Sequence, residues 1–110
     1  MATETRKVLA QSAPAGGILT DVYTVGVGTQ SVISTLTVCN RGGIQTSFRI
    51  SVAVGGALDT NSQYLYYDVG IDAYDTFAST IGITLGAGDV VRIYAGNAFL
   101  TINLFGVEIT

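Results

Sequence analysis

Histidine and tryptophan are absent from this 110-residue chain, and cysteine and proline occur once each, as Cys39 and Pro14. Without histidine the commonest general base and nucleophile partner is missing, so most hydrolytic mechanisms lose their central residue. A single cysteine closes no intrachain disulfide, and with no histidine or second thiol there is no donor set for zinc. Charge is scarce too: Asp, Glu, Lys and Arg make up 12% of the residues, about half the ordinary share. The balance is −3, with a pI of about 4.4. Arg6 and Lys7 lie near the start, which leaves Arg41, Arg49 and Arg92 as the cations of the body. A phosphate backbone is neutralised by clustered Lys and Arg, so direct nucleic-acid binding is not expected. No apolar run reaches the roughly 18–20 residues that span a bilayer. The opening MATETRKVLAQSAPAGG lacks the continuous apolar stretch of a secretion signal.

Apolar residues, by contrast, are plentiful at 48%. A small domain with so little charge cannot cover itself in polar surface. Large exposed apolar patches mark interaction sites, so a buried subunit interface is expected.

The periodicity is two nearly everywhere. In FRISVAV, Phe48, Ile50, Val52 and Val54 share one face and Arg49, Ser51 and Ala53 the other. SVISTLTVCN puts Val32, Leu36 and Val38 on one face, with Thr35, Thr37 and Cys39 opposite. That second face is small and β-branched rather than charged, which suits a strand covered on both sides. Further strands are predicted over 18–25, 63–69, 75–85, 89–95 and 98–109, with a short one over 6–10. The breaks GVG, NRGG, GG and GAGD carry turn chemistry. Seven or eight short strands without a helical period predict an all-β fold, a single antiparallel sandwich of jelly-roll or immunoglobulin-like type. Residues 1–13 are expected to form an extended N-terminal arm, joined through SAPAGG to a sandwich over 14–110.

The densest aromatic stretch is QYLYYD, with Tyr64, Tyr66 and Tyr67, and Tyr74 a little further on. Strict alternation points Tyr64 and Tyr66 one way and Leu65 and Tyr67 the other. One set then packs in the core and the other is free for a partner, a use that suits tyrosine. Outward tyrosines beside Asp68 and Asp72 also fit a sugar-stacking surface. Asp68, Asp72 and Asp75 do not follow the spacing of a calcium loop, and they are expected to end a strand and shape its turn. A carboxylate glycosidase would need a cleft that so small a sandwich hardly accommodates. Arg49 and Arg92 sit at outward strand positions and are expected in cross-strand ion pairs or intersubunit contacts. Cys39 is expected to be a small buried hydrophobe. The interface candidates are thus Tyr64, Tyr66, Tyr74, Arg41, Arg49 and Arg92. No catalytic residue, cofactor or metal is expected.

Several phrases occur together in order: KVLAQSAP, LTDVYTV, ISTLTVCNRG, QYLYYD, GITLGAGDVVRIYAG and NLFGVEIT. In these the chain resembles small all-β virion structural proteins of tailed bacteriophages, including those of cyanobacteria. The resemblance implies a particle component assembled in the host cytoplasm, either a head decoration or cement protein or a tail, baseplate or fibre-associated one. It implies self-association, as a trimer by analogy with the threefold sites of phage surfaces. Its other implied contacts are the major capsid protein or tail proteins. It carries over no catalytic residue.

Overall fold

The computed structural model describes residues 2–110. Alternating patterns fold as nine strands: β1 (Glu4–Ser12), β2 (Leu19–Thr24), β3 (Gln30–Asn40), β4 (Thr46–Ala53), β5 (Tyr64–Ile71), β6 (Thr76–Ser79), β7 (Ile83–Leu85), β8 (Val90–Ala95) and β9 (Leu100–Ile109). Two antiparallel sheets result. Sheet A has the order β1-β9-β3-β6, with β7 also on β3, and sheet B the order β2-β8-β4-β5. The first four strands alternate between sheets, which is the winding of a jelly roll rather than of an immunoglobulin sandwich. The body measures 48 × 27 × 19 Å.

The core lies between the sheets. Ile33, Leu36, Val38, Leu100, Ile102 and Leu104 of sheet A meet Phe48, Ile50, Val91 and Ile93 of sheet B, and all of them are buried. Each such side chain contributes on the order of 1.5–3 kcal/mol by leaving water. Phe77 stacks between Phe48 and Tyr66, with both ring centroids 5.3 Å away.

Three expectations are revised. The segment 1–13 does not stand apart from the sandwich: its residues 4–12 form β1, hydrogen-bonded along β9, with Leu9 in the core. The predicted strand over 75–85 splits in two. Ile33 pairs with Ile83 and Leu36 with Ser79, so three residues of the outer strand face two of β3, and Thr80–Gly82 drop out of the ladder. At the same level β3 carries a bulge at Ser34, between Ile33 and Thr35 in the pairing with β9. The same bulge rephases β3. Ile33 joins Leu36 and Val38 in the core, and Val32 moves to the outer face with Thr35, Thr37 and Cys39.

Candidate interaction surfaces

The tyrosine strand is rephased as well. Between Val69, opposite Phe48, and Tyr66, opposite Ile50, both Tyr67 and Asp68 face the single residue Arg49. Asp68 takes the left-handed conformation this needs (φ 52°), one that aspartate tolerates better than most side chains. A second irregularity at Leu65 brings Tyr64 round to join Tyr67. Tyr64 and Tyr67 therefore share the outer face of sheet B, edge to face with centroids 5.1 Å apart. Tyr66 points inward rather than outward with Tyr64, its hydroxyl 2.7 Å from Ser79 Oγ.

Arg49 is the centre of this cluster. Its Nε donates to Asp68 Oδ1 at 2.5 Å, and its guanidinium lies 4.1 Å from the Tyr67 ring centroid and 5.0 Å from that of Tyr94. The hydrogen bond from Arg49 holds the Asp68 carboxyl below the usual range. Arg92 does different work. It pairs with Asp21 across β2 and β8 at 2.9 Å and donates to the carbonyls of Ala57 and Gly56 at 2.8 and 3.3 Å. It thereby holds the 54–63 segment across this end of sheet B. Both arginines form the cross-strand ion pairs expected of them. The resulting face combines Asp with Tyr and Arg, and the latter two are enriched among the residues that dominate interface energetics.

The other two candidates lie at one end of the sandwich. Arg41 Nη2 donates to the Ala98 carbonyl at 3.1 Å, and the Tyr74 N–H donates to Gly42 O at 3.1 Å. The Phe99 ring covers Gly42, where a Cβ would lie 2.9 Å from its Cγ. Tyr74 (77% exposed), Ile44 and Phe99 make a second exposed apolar patch around the NRGG turn. Asp75 caps its own turn, its Oδ1 accepting from the Thr76 N–H at 2.8 Å.

The sequence gives little warning of the third surface. On the outer face of sheet A, Val8, Phe105 and Thr35 lie in one row, Arg6, Val107, Val32 and Thr84 in the next, and Gln11, Asn103, Thr37 and Ala78 in a third. All are half-buried or exposed. Charge enters only at the β1 rim, through Glu4 and Arg6. Cys39 belongs to this face and is half-exposed rather than buried. A solvated sheet face is polar, and this one is polar through Thr, Asn and Gln while nearly without charge; the only outward signal was the β-branched side of SVISTLTVCN.

Between the sheets, at the end holding the chain termini, Tyr23 donates to Glu108 Oε2 at 2.7 Å and lies 2.6 Å from Ser31 Oγ. Its one proton goes to the carboxylate, so Ser31 donates to Tyr23. Lys7 completes the chain 2.8 Å from Glu108, tying β1 to both sheets. The hydrogen bonds from Lys7 and then Tyr23 hold the Glu108 carboxyl below its ordinary value of 4.5. A carboxyl depressed in the folded state stabilises above the unfolded pKa, and that contribution is lost as pH falls through the folded one. The urea midpoint is therefore expected to drop in acid, below about pH 4.5, more steeply for the native chain than for Glu108→Gln. Equal slopes would refute the network.

Two antiparallel sheets wound in this order, with chemistry confined to surface clusters, define a jelly-roll β-sandwich, a class that includes capsid and lectin domains. No protein-family model and no curated protein sequence matches the chain. Among solved structures, a chain in the structure of infectious bursal disease virus, Gx strain, superimposes with a TM-score of 0.54 at 11% identity. The match covers 99% of this chain and 37% of that one; this protein thus spans little more than a third of its neighbour's length, and what they share is the fold. Two structures of a pentameric capsid protein from metagenomic phage sequences align over 97% of this chain at 14% identity, covering 58% and 66% of those chains. Their TM-score of 0.26 is too low to bear on the comparison.

Proposed function

We propose that this protein is a non-enzymatic structural component of a bacteriophage particle, a head decoration or cement protein. It works by associating with copies of itself, as a homotrimer, and with the major capsid protein. The observation that carries this reading is the outer face of sheet A, uncharged away from its β1 rim, on a jelly-roll sandwich that shares its fold with a chain of a virus structure. A coat subunit acts by burying area, typically 1,200–2,000 Å² or so per contact, and needs no reactive group. The scarcity of charge and the absence of histidine agree with that demand. Light scattering of the purified protein is expected to give three times the 11.4 kDa chain mass, and imaging of intact particles to place the chain on the head. A monomer at all concentrations would overturn the self-associating role.

A second reading places the chain on the tail, baseplate or fibre as a module that binds host surface carbohydrate. It is favoured by the outward Tyr64, Tyr67 and Tyr94 rings around Arg49. Tyr67→Ala is expected to leave assembly intact. If it abolished glycan binding by the native protein, recognition would gain over cementing.

A further inference from the structure

We infer that the outer face of sheet A is the contact between copies, each copy turning this face toward a common symmetry axis with sheet B outward; the inference rests on the self-associating reading above. Area is the first argument. The strands of this sheet hold 9 residues in β1, 10 in β9, 11 in β3, and 4 and 3 in β6 and β7, so at about 3.3 Å per residue and about 4.8 Å between strands the face presents roughly 590 Å². That is roughly three quarters of the 800 Å² or so each partner brings to a stable interface.

Charge decides the occupant. The centre of the face, Val32, Thr35, Thr37, Asn103, Phe105 and Val107, offers nothing to pair with a charged partner. Docked on the outer face of sheet B, it would strip water from the Arg49–Asp68 and Arg92–Asp21 pairs without returning a partner, which is costly. Packed around the axis against copies of itself, the face buries no charge at its centre. It leaves Glu4 and Arg6 on the rim, around an uncharged centre of Val, Phe, Thr and Asn; interface centres are likewise depleted of charge. The carboxylates, tyrosines and arginines of sheet B then stay in water on the outside of the assembly, free for other contacts.

Cys39 sits on this face and is the only thiol in the chain, so the native protein carries its own reporter. Maleimide labelling of Cys39, near one end of the face, is expected to slow about tenfold when the protein is concentrated enough to assemble, because the neighbouring copy covers it and sheds its water. Thr37→Lys, an outward position where the long side chain reaches water in a single copy, is expected to give monomers that still melt cooperatively, at the temperature of the native protein diluted until it is monomeric. Tyr67→Ala, on the opposite sheet, is expected to assemble normally. Labelling that stays at the monomer rate in an assembled native protein overturns the assignment while leaving self-association standing. A native protein monomeric throughout overturns both. Should Thr37→Lys fail to fold, the labelling of the unaltered chain still decides.

Discussion

Gly106→Ala is expected to destabilise the protein by about 3–4 kcal/mol, the largest loss we expect from so small a change. Gly106 sits on β9 opposite Ile33, beside the bulge at Ser34. A Cβ there would overlap the Val32 carbonyl oxygen and come within 3.0 Å of Ile33 Cα. Both are backbone atoms of β3, which also carries β6 and β7. They cannot step aside as the end of a side chain can. Overpacking of a core typically costs about 1–3 kcal/mol; a backbone clash at the centre of a sheet belongs at or above the top of that range. For a domain near this size the melting temperature should fall by roughly 15–25 °C. Gly82→Ala is the control. A Cβ at Gly82 meets nothing within 4 Å, so a change within about 0.5 kcal/mol is expected. Similar melting temperatures for the two variants would refute the close approach of β9 to β3.

Why the bulge escapes the sequence while the strand does not is a matter of which force sets each. Alternation of apolar and polar residues follows from burying one face, and it places β3, β4, β8 and β9 within a residue or two. A bulge shifts the phase by one residue without altering composition. Nothing in SVIST says that Ser34, rather than a neighbour, is the extra residue, so Val32 reads as core when it is surface. The tyrosine strand shows the same effect twice over. Alternation puts Tyr64 with Tyr66, whereas irregularities at Leu65 and Tyr67–Asp68 put Tyr64 with Tyr67 and give Arg49 both a ring and a carboxylate. Glycine and aspartate near such points are the available hint, and Asp68 in the left-handed region is its mark. Arg49 and Arg92 were legible as outward cations because charge in a strand rarely faces a core. Their partners were not legible, since pairing depends on which strands the jelly-roll winding makes neighbours.

Asn40→Ala is expected to cost about 2–3 kcal/mol and to dismantle the exposed patch at the NRGG turn. Asn40 is fully buried at the end of β3. Its Nδ2 donates to the Ile44 carbonyl at 2.8 Å and the Asp72 carbonyl at 3.1 Å, and its Oδ1 accepts from the Gly42 N–H at 3.0 Å. One side chain therefore fixes the turn after β3, the end of β5 and the backbone under the Phe99 ring. Truncation leaves the buried Gly42 N–H without its acceptor, and an orphaned donor of this kind costs about 1–3 kcal/mol. The two carbonyls belong to exposed residues and recover water more easily, which keeps the total below three full penalties. Consequences beyond stability follow from position. Tyr74 is held in a left-handed conformation (φ 60°) that a bulky residue adopts only when its surroundings impose it, and its N–H donates to Gly42 O. Once Gly42 is released, Tyr74 should relax, and Arg41 should lose its carbonyl partner at Ala98 as the loops separate. Faster amide exchange at Gly42 and Tyr74, with the β3–β9 ladder still protected, is the signature expected. If Asn40→Ala melts with the native protein and keeps those two amides protected, the turn is held by Phe99 packing instead, and the patch belongs to the apolar contacts rather than to this buried amide.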